Sequence, residues 1–124
     1  MCSDAEDGFT LVELLVVVVI IGILAAIGIP TLTRQRDAAD QAAVQSDLRN
    51  LAVQAESYFH TANTYIGFAG SAAYAEHRWT AGVNGSVAAV GANNYCFQAT
   101  RGTRTWSVRT NPGDEAPSLA SGAC

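Results

Sequence analysis

A single carboxylate, Glu13, stands near the start of the run "GFTLVELLVVVVIIGILAAIGIP" at residues 8–30. An acid kept among apolar side chains is by default functional, since Leu or Gln would cost less there, and it requires a cationic partner. The chain has no Lys, and the nearest arginines, Arg34 and Arg36, follow the far end of the run. A cation would arise if the chain were cut between Gly8 and Phe9. The new α-amino group, with a pKa near 8, would be largely protonated at pH 7 and would share a helix face with Glu13, four residues on. The chemistry open to this pattern is cleavage of one peptide bond followed by an amine–carboxylate pairing. Elsewhere the inventory is sparse. His60 and His77 are isolated, no Cys and His cluster has ligand spacing, and no glycine-rich phosphate loop follows a strand. No catalytic residue, metal or cofactor is expected.

The element that positions Glu13 is a helix over residues 9–29. Its 21 residues span about 32 Å at 1.5 Å per residue, close to the hydrocarbon thickness of a bilayer. Fourteen of its side chains are Leu, Ile or Val. At about −0.3 to −0.6 kcal/mol each, they outweigh a penalty of up to about 3.5 kcal/mol for one central acid, so the helix inserts even with Glu13 charged.

Junction, acid, span length and the proline after the span together resemble the class III leader junction and N-terminal helix of type IV pilins and pseudopilins. The resemblance implies that a prepilin peptidase cleaves after Gly8 and N-methylates Phe9. It also implies that Glu13 recruits the incoming subunit by neutralising the terminal amine of a neighbour in the filament. Gly22 and Pro30 match the helix-breaking positions of the family. Two plainer readings compete with it. A secretory signal peptide could be cut at "AIG" (Ala26 to Gly28), but the leader has no base and the apolar core is too long. A simple single-pass anchor would keep Glu13 solvated at the interface.

The stretch "MCSDAEDG" departs from the family's usual leader, since it carries Asp4, Glu6 and Asp7 and no base. Counted by Arg alone, the positive-inside bias even points the other way, because Arg34 and Arg36 follow the span. Orientation, with the C-terminal part outside the cytoplasmic membrane, therefore rests on the resemblance and on the cysteines. The 124 residues leave room for only one small domain beyond the span. The formal net charge of −4 includes the three leader acids. Without them eight acids face seven arginines, and no basic field suggests nucleic acid.

Removal of the leader would take Cys2 with it and leave Cys96 and Cys124. A pair in an oxidising compartment usually forms a disulfide, and the family often closes a C-terminal loop in this way; two free buried thiols are the other possibility. Over this loop length a bridge contributes on the order of 3 to 4 kcal/mol at most.

After Pro30 the helix is expected to continue. Val44, Leu48, Leu51, Ala55 and Tyr58 recur at steps of four and three, while Asp47, Gln54 and Glu56 fall outside that stripe. Arg36 and Asp40 are spaced as an i, i+4 ion pair. One helix from residue 9 to about 60 results, apolar all round in its first half and amphipathic in its second. Proline removes one hydrogen bond and crowds the carbonyl of Ala26, which predicts a kink near Gly28 to Pro30. The family resemblance suggests instead that the stretch from Gly22 to Pro30 partly unwinds in a filament.

From Thr61 a connecting loop follows, with room for a short helical turn. Then "HRWTAGV", "SVAAV", "YCFQAT" and "RTWSVRT", separated by "NG", "GANN" and "RG", predict an antiparallel meander of three or four strands. Alternation puts Tyr95 and Phe97 on one face, joined by Trp106 and Val108 if the register holds across the turn. Asn84, Gly85 and Ser86 form a glycosylation sequon that reads first as a hairpin turn. The tail "NPGDEAPSLASGAC" reads as a loop tied back by Cys124.

The expected fold is α+β, a long N-terminal helix packed on a small β-meander. Its divisions are a leader at 1–8, a membrane or filament-core helix at 9–29, an amphipathic continuation at 30–60, a loop at 61–82 and the meander at 83–124. The expected function is a structural subunit of a type IV pilus-like filament, stored in the membrane and exported to the cell surface by polymerisation. Its partners would be other copies of itself and related pilins, the prepilin peptidase, a membrane assembly platform and, before assembly, lipid. A pseudopilin of a secretion or DNA-uptake machine is the alternative within the family, and a non-polymerising membrane-anchored binding module the alternative outside it.

Overall fold

The structure, a computed structural model, describes residues 8–124; the rest of the expected leader lies outside the described residues. One helix, α1 (Leu11–Ala62), has the expected 52 residues and starts and stops two residues later than the hydrophobic pattern suggests. Its start is fixed by Thr10, whose hydroxyl accepts from the Glu13 N–H. Its end is fixed by Asn63, which takes a left-handed φ of 54° while its N–H donates to the Phe59 carbonyl at 2.7 Å. The chain divides into two compact units, one up to Asp37 and one from Ala38 to Cys124.

In the first unit α1 carries a stretch long and apolar enough to cross a membrane, none of it buried. The helix runs on through Pro30. Around that proline, side-chain hydroxyls supply extra bonds: Thr31 Oγ1 donates to the carbonyls of Ile27 (3.0 Å) and Gly28 (2.8 Å), and Thr33 Oγ1 to that of Pro30 (2.9 Å).

In the second unit Val44, Leu48, Leu51, Ala52 and Ala55 of α1 are buried. They form one core with a four-stranded antiparallel sheet, order β1-β2-β3-β4: β1 (Asn84–Val90), β2 (Tyr95–Arg101), β3 (Arg104–Thr110) and β4 (Ser118–Ser121). Phe97 faces Val108 and Ala99 faces Trp106 across β2 and β3, and these residues with Tyr95 form the buried face of the sheet. The alternation in the sequence holds across the Arg101–Gly102 turn, where Gly102 takes a φ of 61°. The connection after α1 folds into a 3-10 turn (Phe68–Gly70) and a short helix, α2 (Ala72–Glu76), capped by Ser71. It contributes Tyr65 and Phe68 to the core.

Four details correct the sequence reading. "HRWTAGV" is not a strand, because its polar groups are taken up by α1. Asn84 and Gly85 are not a turn but open β1, opposite Thr100 and Ala99 of β2. Glycine suits that place because a Cβ there would collide with the Trp79 ring. The tail contains β4, whose Ser118–Ser121 pair with Trp106 to Arg109. Finally Asp40, expected to pair with Arg36, is held by Arg101 at 2.8 Å.

Candidate assembly site and the junction before it

Gly8 and Phe9 are exposed and precede the helix, which begins two residues after Phe9. Phe9 is 85% exposed, so nothing among the described residues shields the Gly8–Phe9 bond. A Cβ built on Gly8 meets nothing within 4 Å. Any demand for glycine there must come from whatever binds the junction.

Glu13 is bound to Thr10 on three counts. Its Oε2 accepts from the Thr10 backbone N–H at 2.9 Å and from Thr10 Oγ1 at 2.7 Å, and its own N–H donates to Thr10 Oγ1 at 3.2 Å. This is a reciprocal capping box, in which the N-cap hydroxyl and the N3 carboxylate each satisfy a backbone donor that the first turn leaves open. The spacing Thr-x-x-Glu at residues 10–13 signalled it, and the sequence reading, fixed on the charge, missed Thr10. A capping bond from the backbone N–H of Thr10 does not depend on residues before Phe9.

Gly22 and Pro30 both lie within α1, and Gly22 has open space where a side chain would go. Cys96 on β2 is bonded to Cys124, with Cα atoms 6.0 Å apart, which ties the end of the chain to an inner strand of the sheet.

The remaining polar groups build the second unit. Asp47, assigned to the exposed face by its spacing, is buried and accepts from Thr80 N (2.8 Å) and Thr80 Oγ1 (3.0 Å). Gln54 Oε1 lies 3.1 Å from His77 Nδ1, and Glu56 accepts from the Tyr65 hydroxyl at 2.8 Å. Burial, then Glu56, pushes the Tyr65 phenol up, and the same two causes push up Tyr95. Burial lowers His77, against an opposing pull from Asp47. Only partners more than twenty residues away explain Asp47 and Gln54, so no local pattern could have found them. Among the described residues no group of three or more His, Cys, Asp or Glu could hold a metal ion.

An apolar helix start carrying one capped acid, on a chain whose remainder folds as helix on meander, defines a pilin-like protein. Residues 4–29 match the prokaryotic N-terminal methylation motif. The type IV wide pilus major component PilA4 of Thermus thermophilus is 35% identical over 105 residues, covering 83% of this chain and 80% of that protein. The type IV major pilin protein PilA of Myxococcus xanthus is 39% identical over 76 residues, or 61% of this chain and 34% of that protein. The type II secretion system core protein G of Escherichia coli is 44% identical over 46 residues, or 37% and 32%. The matches to these last two span about a third of the relatives' own length. The chain belongs to the type IV pilin and pseudopilin family.

Proposed function

We propose that this protein is a structural subunit of a type IV pilus-like filament, held in the membrane by residues 9–29 and polymerised through them. The observation that carries the reading is the bare apolar half of α1. Its aliphatic side chains are about half exposed or more along the whole stretch, a state that only lipid or other helices can satisfy. The Thermus relative, matched over most of both chains, supports a pilus component rather than an anchor alone. On this reading the prepilin peptidase cuts between Gly8 and Phe9 and methylates Phe9. Glu13 then uses its charge on the terminal amine of a neighbouring copy. Gly22 and Pro30 allow the helix to adjust, and the unit from Ala38 onward faces away from the cytoplasm with its disulfide formed. The partners are other copies, the peptidase and a membrane assembly platform, and no catalytic role is assigned. The matches to secretion-system protein G support a second reading, a pseudopilin that forms a short polymer in a secretion or DNA-uptake machine.

The deciding measurement is the N-terminal mass of protein recovered from sheared extracellular filaments. A methylated chain beginning at Phe9 is expected. Abundant protein starting elsewhere, or none outside the cell, would overturn the pilus reading, and cleaved protein confined to the cell envelope would favour the pseudopilin.

A further inference from the structure

Segment 77–83 links α2 to β1 and is strapped across α1 by side chains. His77 Nδ1 meets Gln54 Oε1 at 3.1 Å, and Thr80 gives both its N–H and its hydroxyl to Asp47. Between these ties Trp79 stands edge-to-face with His77, ring centroids 4.4 Å apart, and lies over Gly85 at the start of β1. His77 is only 8% exposed, and its Nε2 is buried with no hydrogen-bond partner among the described residues. The contact of Nδ1 with Gln54 Oε1 is a hydrogen bond only in the neutral tautomer that carries its proton on Nδ1, which leaves Nε2 as the bare nitrogen.

We propose that segment 77–83 is an acid-released strap: a proton on Nε2 of His77 finds no acceptor in the closed fold, so protonation frees the segment from α1 and lifts Trp79 off Gly85. A buried N–H donor left unpaired costs as much as a lost hydrogen bond or more, and opening to water removes that cost. The groups around the ring do not cancel it. From α1 come Asp47, already committed to two Thr80 donors, and neutral Gln54 and Asn50. Glu76 of α2 and Arg78 of the strap line the same cleft with opposite charges, and β1 brings Gly85 through Trp79. The direction of the His77 shift, downward through burial despite Asp47, agrees. β1 is an edge of the sheet, and Trp79 lies over the face of its second residue, Gly85, so the open strap bares that face at the start of the edge strand.

The test uses the full chain in detergent micelles, labelled with 5-fluorotryptophan. The two fluorine resonances are assigned by the loss of one in Trp79→Phe. Between pH 7.5 and 5.0 the Trp79 signal is expected to move toward its solvent-exposed position with a midpoint below about 6.5, while Trp106 stays in place. His77→Gln, which can still bond Gln54 but cannot titrate, should hold Trp79 still across the range. A Trp79 signal that does not move, or that moves equally in His77→Gln, overturns the proposal. As a check independent of any variant, the imidazole signals of the unsubstituted chain should show His77 titrating below the ordinary imidazole value of about 6.5; a midpoint above that value also overturns it.

Discussion

Glutamine at position 13 keeps the shape of the capping box and its bond to the Thr10 N–H, but not the charge. The Glu13→Gln chain should therefore insert, start its helix at the same place and be cleaved as before, and fail to polymerise. An unpaired terminal amine in a dry helix bundle costs several kcal/mol, whereas in the bilayer it reaches headgroup water. Cleaved monomer in membranes and polymer in the sheared fraction, measured side by side, check this, and polymer at the unsubstituted yield would remove the charge-pairing role. Gly8→Asp isolates the preceding step. The chain itself has room for the side chain, so the fold should be unchanged while leader removal stops and the precursor stays in the membrane, seen as an unshifted band. Glu13 draws notice in the sequence because an acid stands out in an apolar run, but its bonds to Thr10 were not read there. Asp47 was not legible, because its partner, Thr80, is 33 residues away and supplies no local periodicity.

At the scale of elements, α1 and the pair β2 and β3 were readable from pattern alone: steps of three and four in one, alternation of large apolar residues in the other. β4 was not. "SLAS" offers one large apolar side chain, and its strand character comes from the neighbour it pairs with and from the disulfide just beyond it. "HRWTAGV" misled in the opposite sense, since its Trp, Thr and Val favour strands, yet His77 and Thr80 are claimed by α1. The disulfide closes a loop that contains both β3 and β4. Cys96→Ser is expected to lower the unfolding free energy by about 2 to 4 kcal/mol and to loosen β4 first, with leader cleavage intact. Thermal melting and amide exchange at Ser118–Ser121 would show it, and an unchanged melting temperature would mean that the bridge contributes nothing.

At the scale of the whole molecule, stability should peak near neutral pH and fall on both sides. The folded state holds His77 below its ordinary value, so the unfolded chain binds more protons as pH falls through about 6.5, and stability present above that pH is lost below it. Tyr65 and Tyr95 are held above the ordinary phenol value. The unfolded chain therefore releases their protons first as pH rises past about 10, and stability present below that pH is lost above it. Melting temperatures at pH 5.0, 7.5 and 10.5 should be highest in the middle, and a flat profile would contradict both limbs. The bare apolar half of α1 has a consequence for growth as well. Fourteen Leu, Ile and Val side chains at about 1.5 kcal/mol each amount to on the order of 20 kcal/mol for transfer out of water. At that figure the concentration of free subunit in water is negligible, so a filament of this protein cannot exchange with a dissolved pool. On the proposed reading its monomers would form a two-dimensional reservoir, growth would respond to subunits per unit area of membrane rather than to molarity, and a shrinking filament would have to return its subunits to the bilayer it drew them from.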